Sequence, residues 1–182
     1  MITSFMKQVD ITAKKTIFLD IDGVLTNVED GSSYLCGDPS TYRISERNLA
    51  NLMLVLDSSP STRVVVSSNW RRFDDDGKWS YCKFGSVHAF KNQLPRLRQI
   101  LSKWIIGDLT HERHLSKSEA LELWFEDNPW LSKKTGKYVI LEDESWREGF
   151  ASHPIFYKHT IETSRESGFT REDAERALQI LS

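Results

Sequence analysis

Apolar residues in this chain fall into short blocks, with longer stretches of helical spacing between them. Blocks of three or four residues at 16–19, 63–66, 104–106, 138–141 and 155–158 are rich in Val, Ile, Phe and Tyr. Continuous apolar runs of this kind, rather than strict alternation, mark strands covered on both faces. Between them the spacing predicts helices. The first, over 45–56, starts at Ser45 as N-cap and repeats Leu49, Leu52 and Leu56 on one face. The second, over 90–103, carries Leu94, Leu97 and Leu101, with Pro95 expected at a boundary or kink rather than in the interior. A third over 116–126 gathers Ala120, Leu121, Trp124 and Phe125. The last, over 170–181, opens on a capping box from Thr170 to Asp173 and turns Ala174, Ala177, Leu178 and Leu181 inward.

Strands separated by helices imply right-handed crossovers and an α/β fold, a doubly wound Rossmann-like parallel sheet. Ligands in such sheets bind outside the carboxyl ends of the strands, so the residues that follow each apolar block matter most. The first block ends in Asp20, Ile21, Asp22 and Gly23. The second ends in Ser67, Ser68, Asn69, Trp70 and Arg71, and the fourth in Glu142, Asp143 and Glu144. A solvated loop accounts for any one of these endings, but poorly for all three together.

Carboxylates gathered at one edge repel one another unless a cation sits among them, and hard oxygen donors suit Mg²⁺. An aspartate beside such a cation can attack phosphorus. A second aspartate two residues along an extended strand lies on the same side and can serve as acid and base. Gly23 lets the backbone turn sharply after the pair.

The motifs "DIDGVLT" at 20–26, "VVVSS" at 64–68, "KSEALELWF" at 117–125 and "YVILEDES" at 138–145 stand in this order along the chain. Together they resemble the four motifs of the haloacid dehalogenase (HAD) superfamily, whose members are mostly Mg²⁺-dependent phosphatases. The finer pattern, with "VVVSSNWR" and a terminal "GFT" helix, is similar to small HAD domains associated with nucleic-acid repair proteins. That branch commonly reads "LDD" where this chain has Leu141-Glu142-Asp143.

The resemblance implies a HAD-like fold and a Mg²⁺-dependent phosphomonoesterase working through an aspartyl-phosphate. Asp20 is then the nucleophile and a metal ligand. Asp22 is the acid and base, with its carbonyl on the metal. Asp143 is the metal carboxylate of the fourth strand, with Glu142 in a water-mediated role or exchanging places with it. Ser67 would donate to the transferring phosphoryl group, with Ser68 in reserve. Lys117 would neutralise phosphate, a task Arg113 could take instead. Asn69 and Arg71 are expected at the substrate, Arg71 holding a neighbouring phosphate or pairing with Asp74–Asp76.

Composition narrows the partners. The chain of 182 residues has a net charge of −2, so no global basic field holds a polyanion, although a local phosphate site stays open. Cys36 and Cys82 lack CxxC spacing, which gives no disulfide framework or zinc ribbon. The N-terminus is too polar for a signal peptide, and no apolar run approaches the length of a membrane helix. The expectation is one HAD-like domain over 1–182, soluble and cytoplasmic, with no membrane and no obligate protein partner. About 40 residues separate Asp22 from the second strand, which leaves room at 27–44 for a flap but not for a cap domain. The stretch 72–90, with Trp79, Tyr81 and Phe84, is expected to be a specificity loop that stacks a base, or simply packs.

The substrate is expected to be a phosphorylated small molecule or a nucleic-acid end. Against this enzyme stand two alternatives, a catalytically idle HAD-like module binding protein or nucleic acid, and a phosphatase of small sugar phosphates. Retention of both Asp20 and Asp22 favours an enzyme.

Overall fold

A computed structural model describes residues 15–33, 43–68, 87–109 and 115–182. Five parallel strands form one sheet in the order β3-β2-β1-β4-β5: β1 (Lys15–Leu19), β2 (Thr62–Val66), β3 (Ile105–Asp108), β4 (Lys137–Glu142) and β5 (Thr160–Glu162). The helices are α1 (Glu46–Ser58), α2 (Val87–Ile100), α3 (Lys117–Asp127), α4 (Pro154–Tyr157) and α5 (Arg171–Leu181). The expected doubly wound α/β architecture is the one observed. Among the described residues no helix is long and apolar enough to cross a membrane.

Alternation along the strands divides the core in two. Ile17 and Leu19 of β1, Val64 and Val66 of β2, and Val139 and Leu141 of β4 face one side. There they meet Leu49, Leu52, Val55 and Leu56 of α1, Leu97 of α2 and Ala174, Ala177 and Leu181 of α5. Phe18, Val65, Tyr138 and Ile140 face the other side, against Ala120, Leu121, Trp124 and Phe125 of α3 and Phe156 of α4. Phe18 packs edge-on to Trp124 with ring centroids 5.0 Å apart. The chain runs outward from β1 to β2 and β3, then returns past β1 to β4. The order therefore reverses between β1 and β4, and a doubly wound sheet opens its ligand crevice at that reversal.

Local signals explain most boundaries. Ser45 accepts a hydrogen bond from the Asn48 amide at 3.3 Å and starts α1. Ser116 with Glu119, and Thr170 with Asp173, form full capping boxes at α3 and α5. Two expectations change. Residues 155–158 are not the fifth strand. Pro154 stands in the first helical turn and His153 caps it, accepting from the Phe156 amide at 3.3 Å, so this apolar run becomes the short α4. The strand itself is the three-residue β5 just beyond, paired through Thr160, Ile161 and Glu162 to β4. Pro95 lies inside α2, on an exposed position, rather than at a boundary. On that face proline's ring meets solvent, and the helix continues through the lost backbone donor.

Candidate functional site

The two faces of the sheet decide where the polar residues go. Asp20 is the next same-face position after Phe18, Ser67 after Val65, and Glu142 after Ile140. All three therefore project from the carboxyl edge of β1, β2 and β4 toward the side covered by α3. The backbone holds them in register: the Asp20 amide donates to the Leu141 carbonyl at 3.1 Å, and the Ser67 amide donates to the Leu19 carbonyl at 2.8 Å.

Lys117, the first residue of α3, closes this edge. Its Nζ lies 2.9 Å from Asp20 Oδ2 and 2.7 Å from Glu142 Oε2, with side chains 3%, 4% and 1% exposed respectively. Glu148 fixes the start of α3, since its carboxylate accepts from the Lys117 amide at 3.2 Å and its carbonyl from the Ser118 amide at 3.1 Å. Burial would raise Asp20, but the charge and hydrogen bond of Lys117, with donors from Ile21 and Ser68, hold it below the usual carboxylate range. Burial would likewise lower Lys117, and the charges of Asp20, Glu142 and Glu148 raise it instead. Glu142 is pushed well up, first by burial and then by the charge of Asp20. One ammonium thus sits between two buried carboxylates whose pKa values move in opposite directions, Asp20 down and Glu142 up.

Asp143 faces the same centre. Oxygens of Asp20, Glu142 and Asp143 lie within 4.8 Å of one another. Glu142 has both oxygens engaged, one by Lys117 and the other by the Glu144 amide at 3.2 Å. Asp143 Oδ2 accepts from Arg165 Nε at 2.5 Å, and the same guanidinium also binds Glu144. Burial, then the charge of Asp20, raises Asp143 despite that arginine. Three carboxylates against Lys117 and Arg165 make an all-oxygen donor set with surplus negative charge. Such a set fits a hard divalent cation of the Mg²⁺ kind.

The turn after Asp20 is built around the neighbouring carboxylate. Gly23 has φ +64°, and a Cβ there would stand 2.5 Å from both Cβ and Cγ of Asp143. Only glycine allows the loop to pass this close. Thr26 accepts from the Gly23 amide at 3.2 Å and Thr163 donates to the Gly23 carbonyl at 2.7 Å, fixing the turn on both sides. Asp22, half-buried, opens this turn rather than extending β1, which ends at Leu19.

Of the serines, Ser68 donates to Asp20, whereas Ser67 Oγ is buried without a hydrogen-bond partner among the described residues. A buried hydroxyl left unpaired costs free energy unless a ligand supplies its partner. The structure therefore brings Asp20, Ser67, Ser68, Lys117, Glu142 and Asp143 to one edge, with Asp22 in the adjoining turn. Asn69, Arg71 and Arg113 lie outside the described residues, as do most of the 72–90 loop and positions 34–42 of the expected flap. The described part of that flap is anchored: the Val28 amide donates to the Arg165 carbonyl at 3.1 Å and the Glu29 amide to the Glu166 carbonyl at 3.0 Å.

Sequence reasoning missed Arg165 and Glu148. Glu148 follows the fourth motif closely but carries no spacing of its own. Arg165 sits in "TSRESGF", a polar loop whose arginine looks like any solvated one.

No curated protein and no solved structure gives a match to the chain. A family model does, covering residues 16–174, from the first residues of β1 into α5. It spans every strand and all the carboxylates just described. The chain belongs to that family, the HAD domain in Swiss Army Knife RNA repair proteins.

Proposed function

We propose that the protein is a Mg²⁺-dependent phosphomonoesterase that removes a terminal phosphate from a nucleic-acid end through an aspartyl-phosphate on Asp20. The observation that carries this reading is the buried Asp20 carboxylate, paired with Lys117 at 2.9 Å, on the same sheet edge as a buried Ser67 hydroxyl that has no partner among the described residues. A carboxylate and a vacant donor on one edge of the sheet suit a phosphoryl group arriving between them. Membership of a HAD family from RNA repair proteins supports both the chemistry and the choice of a nucleic-acid end.

In this mechanism a carboxylate oxygen of Asp20 attacks phosphorus in line with the leaving oxygen. The bond from phosphorus to that oxygen breaks, and Asp22 gives it a proton. Asp22, now a carboxylate, takes a proton from water as the water oxygen attacks the aspartyl-phosphate. The bond to Asp20 then breaks and inorganic phosphate leaves. Ser67 donates to a phosphoryl oxygen, and Lys117 offsets the charge shared by phosphate and Asp20. Mg²⁺, held by Asp20, Asp143 and the Asp22 carbonyl with Glu142 at one remove, would supply further neutralisation of the phosphoryl oxygens. Phosphoryl transfer gains most from such positioning and charge neutralisation.

A phosphatase screen in Mg²⁺ tests the reading, using 3′- and 5′-phosphorylated oligonucleotides, nucleoside monophosphates and sugar phosphates. An oligonucleotide offers a neighbouring phosphodiester to Arg71, a contact worth about tenfold in kcat/KM over a sugar phosphate. Preference for the sugar phosphate would overturn the nucleic-acid assignment. Absence of turnover on every phosphomonoester would overturn the enzyme.

A further inference from the structure

Asp143 differs from the other carboxylates of the cluster in the cation that balances it. Lys117 is buried between Asp20 and Glu142, so it cannot leave without exposing two unpaired carboxylates. Arg165 is about one-third exposed, at 36%, while the Asp143 carboxylate that it binds at 2.5 Å is only 4% exposed. Asp143 itself has little freedom, because the turn at Gly23 runs so close that a Cβ there would stand 2.5 Å from its Cβ and Cγ. Beyond the charge of Lys117, which also acts on it, its carboxylate is open to two partners among the described residues: the guanidinium that reaches in from the 163–168 loop, or a cation within the cluster. A guanidinium is always charged and offers a planar fork, here shared between Asp143 and Glu144.

We propose that Arg165 is a resident counter-ion of Asp143 that a divalent cation displaces, so that this arginine stabilises the metal-free protein and weakens its affinity for the metal. Arg165 is then a positioning residue acting through Asp143, and no contact with the substrate is required of it. The inference rests on the reading of Asp20, Asp143 and their neighbours as a Mg²⁺ site. The loop that carries Arg165 keeps its backbone bonds to Val28 and Glu29 through carbonyl groups, so the side chain can swing out without undoing them. Glu144 remains as its partner at the surface, 21% exposed and already paired with Arg147 at 3.1 Å.

The test is calorimetric titration of Mg²⁺ into metal-free wild type, Arg165→Met and Arg165→Lys, with melting curves in the presence of EDTA and in saturating Mg²⁺. Loss of a unit positive charge beside a divalent site should tighten Mg²⁺ binding by about tenfold. Arg165→Lys keeps the charge and should stay within about threefold of wild type. In EDTA, Arg165→Met should melt about 3–6 °C below wild type, and saturating Mg²⁺ should close most of that gap. In the wild type, the side-chain Nε–H resonance of Arg165 should shift along the Mg²⁺ titration with the same midpoint as the heat, a readout independent of how any variant folds. Weaker or unchanged Mg²⁺ binding by Arg165→Met, or an Arg165 resonance that ignores Mg²⁺, overturns this inference alone. Failure of the wild type to bind Mg²⁺ at all overturns the metal-site reading and this inference with it.

Discussion

Lys117→Met is the perturbation whose outcome the structure determines most sharply. Methionine keeps most of the volume of the lysine stem and removes the ammonium placed 2.9 Å from Asp20 and 2.7 Å from Glu142. Both carboxylates are almost fully buried, so water cannot replace it. Breaking one side of a buried ion pair costs about 3–5 kcal/mol, mostly from the charge left behind. Glu142 is already pushed well up and can take a proton, which relieves part of that cost and favours the lower figure, about 3 kcal/mol. For a chain of this size that corresponds to a melting temperature lower by about 6–12 °C. The assay is urea and thermal unfolding in EDTA, so that no metal substitutes for the lost charge. Adding Glu142→Gln to Lys117→Met leaves only Asp20 unpaired and should restore about 1–2 kcal/mol, a coupling expected of residues in direct contact. A Lys117→Met protein within about 1 kcal/mol of wild type would refute the argument, because it would mean the two carboxylates are solvated or already protonated.

Three further outcomes follow from the same geometry. Asp20→Asn should lower kcat by about a thousandfold or more, since an amide cannot attack phosphorus, while the melting temperature in EDTA stays within about 3 °C of wild type; turnover within threefold of wild type would remove Asp20 from its role. Gly23→Ala should cost about 1–2 kcal/mol for the left-handed backbone alone, and should also weaken Mg²⁺ binding measured by titration, because the new methyl would have to push Asp143 aside. Burial holds the His159 imidazole below its usual pKa, against the hydrogen bond to the Tyr138 carbonyl, so folding favours the neutral ring. Its contribution is therefore present above about pH 6.5 and lost as pH falls toward the folded value. His159→Phe retains a ring against Tyr138 and should show a smaller drop in melting temperature between pH 7 and 5 than wild type; an equal drop would show that His159 does not contribute to acid sensitivity.

How much of this could be read from sequence depends on how local each signal is. Four of the five strands announced themselves as apolar runs, and the residues just after β1, β2 and β4 form the cluster of carboxylates and serines, because a parallel sheet delivers strand ends to one edge. Capping residues such as Thr170 and Asp173 also act within one turn and were readable. The fifth strand was not. Ile155 to Tyr157 is apolar enough for a strand, but Pro154 and the His153 cap turn it into a helix, and three residues of β5 carry too little pattern to compete. The pairing of Lys117 with both Asp20 and Glu142 is a matter of distance across elements, which spacing along the chain does not encode. Arg165 is the clearest case, since its partner Asp143 lies 22 residues away and in a different loop.

The turn that follows Asp20 has a consequence for how the chain is made. Its strand, β1, lies near the start of the sequence, yet one of its neighbours in the sheet is β4, which begins at Lys137. The turn's remaining supports come later still: Thr163 donates to Gly23 and the Phe169 amide donates to Val24 at 2.8 Å. A ribosome delivers the aspartate strand first and its last supports more than a hundred residues afterwards, at about 5–20 residues per second. For those seconds β1 has only β2 beside it, and Asp20 lacks both Lys117 and the wall formed by β4. Within this domain the turn after Asp20 is therefore synthesised well before its supports and enclosed last. A stop codon or a frameshift near residue 160 would accordingly disable the turn at residue 23, leaving the sequence around Asp20 untouched.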